Sequence, residues 1–491
     1  MSNSSVTASV TFIDLATFGE LEGFLYGGPN AITWFVASVQ KANWFSHVPI
    51  CLRNIGTTAQ FGACKSSFSL SRQGDYVLST FLRAKFPAIG FSAAVLDLED
   101  TPNCTVRWVD NLMHNLVRHV QIEFNDLQVQ EFDSFWLDDN FEWRCPQNKR
   151  QGYLNMIGMI STYTKPVGPG QFLPGGYLNL PLPFFFGEDS GIALPVAALP
   201  FNDIKITYDF RKFSELIMVD PGSIATPFAI DITSVVQYEN GVPTDNQPCL
   251  HCVETFAHYA IVHNDERVKM GDAPRDILIH QIQETQCAPF KDMTCRSSFD
   301  IRLSHAIVMF THKARNDSLQ KFFQGKYGHD QSNYTTLSSV LVDAAVVPVS
   351  SLPADPIHHT TLLYENSVRL NNHSDYFSLV HPWYFSDAIA QNTGYHMYAY
   401  ALKWTDPTRP SGSTDYSKLA NVSISHDPSF AAIQASKGFY EDVSVGNPTG
   451  TTIIWPSGSE TPFKQSWDHI FAARNWNILR VANGSAGFPA L

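Results

Sequence analysis

The sequence predicts an all-β protein made of two antiparallel β-sandwiches in tandem, preceded by an N-terminal arm. Three observations support this prediction. The chain has 491 residues, which is enough for more than one domain. Many short segments alternate between apolar and polar residues, and Gly, Pro or Asn turns separate them. Long helical periodicity is scarce, so sandwiches or barrels are favoured over helical folds.

The alternation identifies individual strands. In segment 117–124, Val120 and Ile122 alternate with Gln121 and Glu123. This pattern is typical of a strand with one buried face and one wetter face. Segments 204–211 and 299–304 follow the same rule. Further strands are predicted at 76–86, 276–282, 421–424, 452–455 and 478–481.

The two halves of the chain share this organisation. We predict a first sandwich at 51–214, a linker at 215–244 and a second sandwich at 245–491. The linker is placed where turn residues gather, among them Pro221, Gly222, Pro227 and Gly241. A faint internal similarity also indicates duplication: segments 74–78 and 113–117 would correspond to 275–278 and 304–308. Residues 1–50 form the arm, in which Asp14 would cap a short amphipathic helix despite Gly19 and Gly23.

Composition restricts the possible partners. The net charge is −13, and charged residues make up only 16% of the chain. The first fifty residues carry Asp14, Glu20, Glu22 and Lys41, so they lack the basic arm that direct binding to nucleic acid requires. The low charge and the hydrophobic fraction of 44% favour large buried sheets or large interfaces between subunits.

Targeting and redox signals are weak. We find no pattern of a secretory signal and no run of eighteen apolar residues, so neither export nor a membrane span is expected. Eight cysteines are few for this length. They are expected to be reduced thiols, most of them buried, in a reducing compartment.

Cysteines offer the best candidate for a metal site. Cys249 and Cys252 form a CxxC pair, and Cys287 and Cys295 follow downstream. Four thiolates can bind zinc, but the second pair has a longer spacing than structural zinc sites use. Ordinary reduced cysteines at a strand edge explain the pattern better, so no metal is predicted.

Other chemical motifs are incomplete. His358 and His359 stand near Asp355, but neighbouring residues of a strand point to opposite faces. Segment 187–191 lacks the spacing of a hydrolase elbow. Gly325-Lys326 lacks the preceding glycine of a phosphate loop. We therefore predict no catalytic residues, no cofactor and no enzymatic activity.

A series of segments resembles a known family. It begins at 111–117 (NLMHNLV) and continues through 152–158 (GYLNMIG), 180–186 (LPLPFFF), 189–195 (DSGIALP), 199–204 (LPFNDI), 301–307 (IRLSHAI), 355–362 (DPIHHTTL) and 375–380 (DYFSLV), ending at 487–489 (GFP). These segments resemble the major capsid proteins of the nucleocytoplasmic large DNA viruses, iridovirus type. The similarity runs nearly end to end and keeps the family's order. Segments 284–298 and 436–466 do not match and are expected to be variable loops.

The resemblance implies two tandem eight-stranded jelly rolls, assembled as pseudo-hexagonal homotrimers that tile an icosahedral capsid of a double-stranded DNA virus. It implies a location in the virion, with assembly in the host cytoplasm. The arm is expected on the inner face, toward minor capsid proteins or an internal membrane. The main alternative is a jelly-roll carbohydrate-binding protein or a glycoside hydrolase, and a vertex protein is disfavoured by the chain length.

Overall fold

The computed structural model describes residues 16–29, 31–37, 39, 41–96, 104–220, 232–244, 246–272, 274–290, 293–317, 331–336, 354–437, 439–440, 451–452 and 465–489. The chain divides into two compact units, residues 1–44 and residues 45–491. Within the described residues, we find no helix that combines the length and the apolar character needed to cross a bilayer.

The first unit is the arm. Its described residues include the short helix α1 (Glu20–Leu25), which starts after Gly19. The predicted cap, Asp14, lies outside the described residues. Apolar side chains of this unit are largely open to solvent, including Phe24, Trp34 and Phe35. The arm is shorter than the predicted residues 1–50, because residues from Phe45 onward belong to a sheet of the second unit.

The first half of the second unit is a sandwich of two antiparallel sheets. Its main strands are β1 (Phe45–Cys51), β2 (Ser66–Ser69), β3 (Tyr76–Phe86), β4 (Val117–Phe124), β5 (Leu127–Asp133), β6 (Gly176–Leu182), β7 (Ile204–Phe210) and β8 (Cys252–Val262). One sheet has the order β1-β8-β3-β6, and the facing sheet has β2-β7-β4-β5. This arrangement is a jelly roll.

The second half repeats this arrangement. Its main strands are β9 (Arg275–Glu284), β10 (Ser297–Asp300), β11 (Ala306–Asn316), β12 (Ile357–Tyr364), β13 (Ser367–His373), β14 (His396–Ala399), β15 (Val422–Pro428) and β16 (Trp467–Ala482). The sheets have the orders β9-β16-β11-β14 and β10-β15-β12-β13. Every strand therefore has a counterpart eight positions earlier. The predicted double jelly roll is confirmed.

A shared β-bulge fixes the correspondence residue by residue. The pairing of β3 with β8 skips Leu78, because Val77 pairs with Tyr259 and Ser79 pairs with His258. The pairing of β11 with β16 skips Val308 in the same way. Bulges of this kind add a local bend and are usually specific features of a fold. Aligning the bulges makes Phe81 the counterpart of Thr311, Leu82 of His312 and Arg83 of Lys313.

Two hairpins support the same correspondence. Strands β4 and β5 are joined by Asn125-Asp126, and β12 and β13 by Glu365-Asn366. All four turn residues have positive φ, as a two-residue type I′ turn requires. A helical segment follows each hairpin. The internal similarity predicted from 74–78, 113–117, 275–278 and 304–308 is wrong in detail, because those segments lie on strands that are not counterparts.

The boundary between the halves also differs from the prediction. Strand β8 pairs with β1 and β3, so residues up to Val262 complete the first sandwich. The described residues of the predicted linker, 215–220 and 232–244, therefore precede the last strand of the first sandwich, and the second sandwich begins at Arg275. The turn residues that placed the linker there do not reveal that the chain returns to the same sheet afterwards, and Pro221, Gly222 and Pro227 lie outside the described residues.

The helices beyond the arm were not foreseen, and the two longest follow β5. Helix α4 (Ser134–Arg144) starts where the Asp133 carboxylate accepts a hydrogen bond from the backbone N–H of Trp136, and α5 (Gln147–Ile157) ends at Gly158, which has positive φ. Nine of the eleven residues of α4 are buried. A helix that is covered on all sides lacks the amphipathic stripe by which sequence patterns identify helices.

The remaining elements are connections. The other α-helices are α2 (Ala93–Leu96), α3 (Leu112–Leu116), α6 (Ser161–Thr164), α7 (Asn264–Asp272), α8 (His381–Phe385) and α9 (Phe430–Lys437), with a π-helical turn at Tyr376–Val380 directly before α8. Short strands occur at Arg53–Asn54, Ala88–Phe91, Thr105–Trp108, Phe172–Leu173, Ile217–Asp220, Val235–Glu239, Val242–Pro243, Ala288–Pro289, Thr414–Asp415, Phe439–Tyr440, Thr451–Thr452 and Ser485–Gly487, and 3-10 turns at Phe185–Gly187, Ser190–Ile192, Val196–Ala198, Phe213–Glu215, Ile232–Ser234 and Tyr416–Lys418. The strand predicted at 299–304 ends at Asp300, and residues 453–455 of another lie outside the described residues.

The two sandwich interiors differ in chemistry. The first belongs to one large apolar cluster that includes Leu82 and Ile122. The second holds a smaller cluster around Phe310 and Phe471. Beside it lie four buried histidines, whose rings follow one another at centroid distances of 4.9 to 5.0 Å: His396, His312, His426 and His469.

Candidate assembly site

The two jelly rolls meet along helix α4. Alternate residues of β11 point away from the interior of the second sandwich and toward this helix. Thr311 donates a hydrogen bond to the Asp139 carboxylate at 2.8 Å, and the Lys313 ammonium lies 2.9 Å from the same carboxylate. Lys313 also donates to the backbone carbonyl of Phe135 at 2.7 Å. The helix of the first half therefore covers the outer face of a sheet of the second half.

Charge at this junction is buried and paired. Asp138 accepts hydrogen bonds from Tyr334 at 2.8 Å and Ser332 at 3.0 Å, and its carboxylate lies 2.6 Å from His114. Burial would raise the pKa of Asp138, but the contact with His114 and the charge of Lys313 outweigh it and hold the pKa below its ordinary value. Burial dominates at Asp139 and raises its pKa to about 6 despite Lys313.

A second ionic cluster crosses the junction at Glu188. This buried carboxylate accepts from Arg144 of the first half at 3.1 Å, and from His280 at 3.0 Å and Arg474 of the second half. Burial opposes ionisation, but the charge of Arg474 and the bond to His280 lower the pKa of Glu188 to about 2. Such pairs fix the relative position of two surfaces, because removing one member leaves a buried charge.

The counterpart of α4 in the second half has a different environment. It is the helical segment formed by the π-turn Tyr376–Val380 and α8. Its Trp383 is 71% exposed and Tyr384 is 72% exposed, and Leu379 and Val380 are about half exposed. Contiguous apolar exposure of this kind usually marks an interaction site.

The counterpart sheet face in the first half is open as well. Phe81 of β3 stacks on Phe256 of β8 with a centroid distance of 5.1 Å. Beside them, the Arg83 guanidinium lies 4.1 Å from the ring centre of Tyr177, which is 48% exposed. Both phenyl rings are only half-buried. This face therefore presents aromatic surface where the second half has a face covered by α4.

The cysteine candidates do not converge. All eight cysteines are free thiols. Cys249 and Cys252 lie at the start of β8, whereas Cys287 and Cys295 belong to the second half. Among the described residues, no group of three or more His, Cys, Asp or Glu side chains is arranged to hold a metal ion. The prediction that most thiols are buried is wrong, since only Cys104 is fully buried.

The histidine pair lies closer together than expected. A bulge in β12 interrupts its alternation, and the rings of His358 and His359 both lie near His373, at 5.3 and 5.0 Å. Asp355 instead accepts a hydrogen bond from the ring of His396 at 2.7 Å. Segment 187–191 forms short 3-10 turns around the structural Glu188, and Gly325-Lys326 lies outside the described residues.

Sequence reasoning missed the residues that join the halves. Asp138, Asp139 and Glu142 stand among Phe135, Trp136, Leu137, Phe141 and Trp143, a mixture of acids and large apolar residues. Several acids within an apolar segment are a usable signal, because buried carboxylates need partners. Asp138 and Glu142 have basic partners nearby in the sequence, His114 and Arg150. Lys313, the partner of Asp139 across the junction, is 174 residues away, so its identity could not be deduced.

Two protein-family models match nearly the whole chain. Residues 33–260 match the model described as major capsid protein N-terminus, and residues 266–487 match that of the large eukaryotic DNA virus major capsid protein. The chain is 41% identical to the major capsid protein of Costelytra zealandica iridescent virus, with 100% of both chains covered. The chain belongs to the major capsid protein family of the iridescent viruses.

Other members of this family are similarly close. The major capsid protein of Lymphocystis disease virus 1 is 40% identical, with 100% of this chain and 99% of the relative covered. That of Frog virus 3 is 37% identical, with 99% and 100% covered. The predicted resemblance is confirmed, and this family gives the protein its function as a major capsid protein. None of these relatives is a carbohydrate-binding protein or a glycoside hydrolase.

Solved capsid structures share the fold. The chain aligns with a chain of the PBCV-1 virus capsid at a TM-score of 0.65 and 16% identity, covering 94% of this chain and 100% of that one. The Faustovirus major capsid protein aligns at 0.65 and 13% identity, covering 92% and 93%. At such low identity the likeness shows the fold, and here it supports the double jelly roll.

Proposed function

We propose that this major capsid protein acts as a homotrimer with a roughly hexagonal outline, which tiles the facets of an icosahedral shell around double-stranded DNA. The observation that carries the proposal is the matching pair of jelly rolls in a chain of this family. Three copies would place six similar sandwiches around one threefold axis. Closed cyclic symmetry is the common arrangement of homo-oligomers.

The proposed domains follow the strand pairing. The arm comprises residues 1–44, the first jelly roll extends from β1 to the end of β8, and the second from β9 to the C-terminal region. The first jelly roll contributes α4 as the link to the second. Each trimer would thus contain three covalently joined pairs of sandwiches.

The arm is proposed to face the interior of the shell. Its described residues expose Phe24, Trp34 and Phe35, and they carry few charges. Such a surface suits minor capsid proteins or an internal membrane better than DNA, since phosphate binding depends on Lys and Arg. Deleting residues 1–25 should leave soluble trimers that fail to assemble in infected cells. Normal particle yield from the deletion virus would contradict this role.

The chemistry proposed for the protein is purely structural. We infer no catalytic site, no cofactor and no metal requirement, and we place shell assembly in the host cytoplasm. Elemental analysis of purified protein should find less than one zinc per chain. A stoichiometric zinc that Cys249→Ser or Cys252→Ser releases would overturn this inference.

The trimer can be tested directly. The mass of the purified full-length protein, measured by light scattering from low to molar salt, should remain that of a trimer. Interfaces held by apolar packing resist salt, whereas exposed ion pairs are screened. Class averages from electron microscopy should show threefold particles of hexagonal outline. A stable monomer at micromolar concentration, or twofold averages, would refute the proposal.

A further inference from the structure

We propose that the helical segment 376–385 of one copy docks on the outer face of β3 and β8 of a second copy, and so repeats between chains the contact that α4 makes within the chain. The inference rests on the trimer proposed above and names the surfaces that form it. The occupant of each surface is therefore another copy of this protein.

The first argument is the correspondence of the helices. Asp139 lies thirteen residues after Asp126 of the first hairpin turn, and Leu379 lies thirteen residues after Asn366 of the second. By the same count Trp383 corresponds to Trp143. Trp143 is buried at 1% exposure in the junction between the halves, whereas Trp383 is 71% exposed. The second helix thus carries the same large side chain without the cover that the first has.

The second argument is the correspondence of the sheets. Thr311 accompanies Lys313 on the face of β11 that α4 covers, and the aligned bulges make Phe81 and Arg83 their counterparts on β3. The face of β3 that carries Phe81 and Arg83 is half-exposed. The second half therefore has a covered sheet face and an exposed helix. The first half has a covered helix and an exposed sheet face.

The third argument is that polarity changes together at one pair of counterparts, while Arg83, the counterpart of Lys313, keeps its charge and lies over the Tyr177 ring. Within the chain, Thr311 donates a hydrogen bond to Asp139 at 2.8 Å. The counterparts of these two residues are Phe81 and Leu379. A polar pair is thus replaced by an apolar pair, and both members change together. Buried polar groups need partners and apolar groups do not, so the two open surfaces are compatible with each other.

The fourth argument concerns symmetry. A helix on one half that docks on the opposite half of the next copy makes a heterologous, head-to-tail contact. Such contacts close into a ring when the rotation between copies allows it. A trimer would then contain six helix-on-sheet contacts, three within chains and three between chains, which alternate around the ring. Each chain would use both its helical segment and its sheet face, so neither surface would remain exposed in the closed ring.

The first experiment removes the apolar helix surface. Trp383→Asp in the full-length protein is expected to shift the mass in sedimentation from trimer to monomer at micromolar concentration. Trp383 packs little within its own chain, so the far-ultraviolet circular dichroism should remain that of the wild type. The matched control is Val242→Asp, which alters a residue that is 61% exposed outside both surfaces and should remain a trimer.

The second experiment tests the pairing itself. In the variant Leu379→Cys with Phe81→Cys, mild oxidation should produce covalently closed trimers on a non-reducing gel, because the counterpart side chains touch within the chain. Each single cysteine variant controls for the eight native thiols and should give no such product. This cross-linking experiment remains informative if Trp383→Asp fails to fold.

The outcomes separate the inference from the function. A trimeric wild type whose Trp383→Asp variant stays trimeric, or whose double cysteine variant gives no covalent trimer, overturns this interface and leaves the trimer itself standing. In that case the surfaces serve another partner, such as a minor shell protein. A monomeric wild type overturns the interface and the proposed trimer together.

Discussion

The two jelly rolls have the same strand order and the same bulge, but they bury different groups. The interior of the first is apolar at Leu82 and Val253, where the second carries His312 and His469 as counterparts. The first contributes a helix whose Asp139 is paired with Lys313 of the second. The second has a short apolar helix that lacks such a cover among the described residues. The shared architecture therefore determines where the surfaces lie. The side chains determine whether a surface binds the other half of the same chain or a second copy of the protein.

The largest expected effect comes from breaking the junction. Lys313→Met removes the cation that lowers the pKa of the buried Asp139 carboxyl. At neutral pH the group must then either stay ionised without a partner or take up a proton, and both outcomes destabilise the fold. Removing one member of a buried pair typically costs about 3–5 kcal/mol. The free energy of unfolding in urea, at constant protein concentration, should fall by this amount.

The controls for this prediction are two. Lys313→Met combined with Asp139→Leu should recover most of the loss, because Leu379 already occupies the corresponding position in the second half. Arg480→Met breaks an exposed pair with Asp276 and should leave the free energy of unfolding nearly unchanged, because water screens exposed ion pairs. A loss below 1 kcal/mol for Lys313→Met alone would mean that the junction is not held by this pair.

A moderate effect is expected from acid on the second sandwich. Burial lowers the pKa of His469 to about 3, and it lowers the pKa values of His312 and His426 well below normal. A histidine whose pKa is lower in the folded state does not affect stability at a pH above its unfolded pKa of about 6.5. Below that pH the unfolded state binds a proton that the folded state does not, so the free energy of unfolding falls. At pH 5, His469 alone should cost on the order of 2 kcal/mol.

This pH dependence should weaken when two of these positions are given the residues of the first half. His312→Leu with His469→Val should reduce the loss of unfolding free energy between pH 7 and pH 5, as measured by denaturant titration at each pH, while His426 keeps its own contribution. Hydrogen exchange should place the acid-induced opening of the wild type in β11, β15 and β16. Equal loss of protection in β3 and β8 would contradict the assignment to the second half.

The smallest effect has the opposite sign. Asp133 and Glu284 meet where β5 and β9 end, and the Asp133 backbone donates to the Glu284 carboxylate at 3.2 Å. Burial, with mutual repulsion at Glu284, raises the pKa values of both carboxyls. Acids with raised folded pKa values stabilise the fold at low pH, and this contribution is lost as the pH rises through the folded pKa.

Glu284→Gln should therefore stabilise the protein at neutral pH by about 1 kcal/mol, because it keeps the acceptor for the Asp133 backbone and removes the charge. The shift in the urea midpoint at pH 7.5 measures it. Asp265→Asn, which changes an exposed carboxylate, should leave the midpoint unchanged. A variant less stable than the wild type would show that the ionised pair is favourable.

The sequence revealed those parts of the structure that depend on local pattern. Strands such as 76–86 and 117–124 were predicted with their observed bounds, because one face is buried and one is wetter. Helix α4 was missed because burial on all sides erases periodicity. The end of the first sandwich was misplaced because Pro and Gly mark any connection, including one that returns to its own sheet. The junction was invisible because Asp139 and Lys313 are far apart in sequence.

The position of β8 has a consequence for synthesis of the chain. This strand lies between β1 and β3, in the middle of its sheet, yet it is the last strand of the first sandwich to be made. Until it leaves the ribosome, β1 has no neighbour on that side and the edge of β3 is open. Unpaired edges of this kind invite pairing with other nascent chains. When an infected cell makes this protein in bulk, correct folding therefore requires that β8 be synthesised soon after β7.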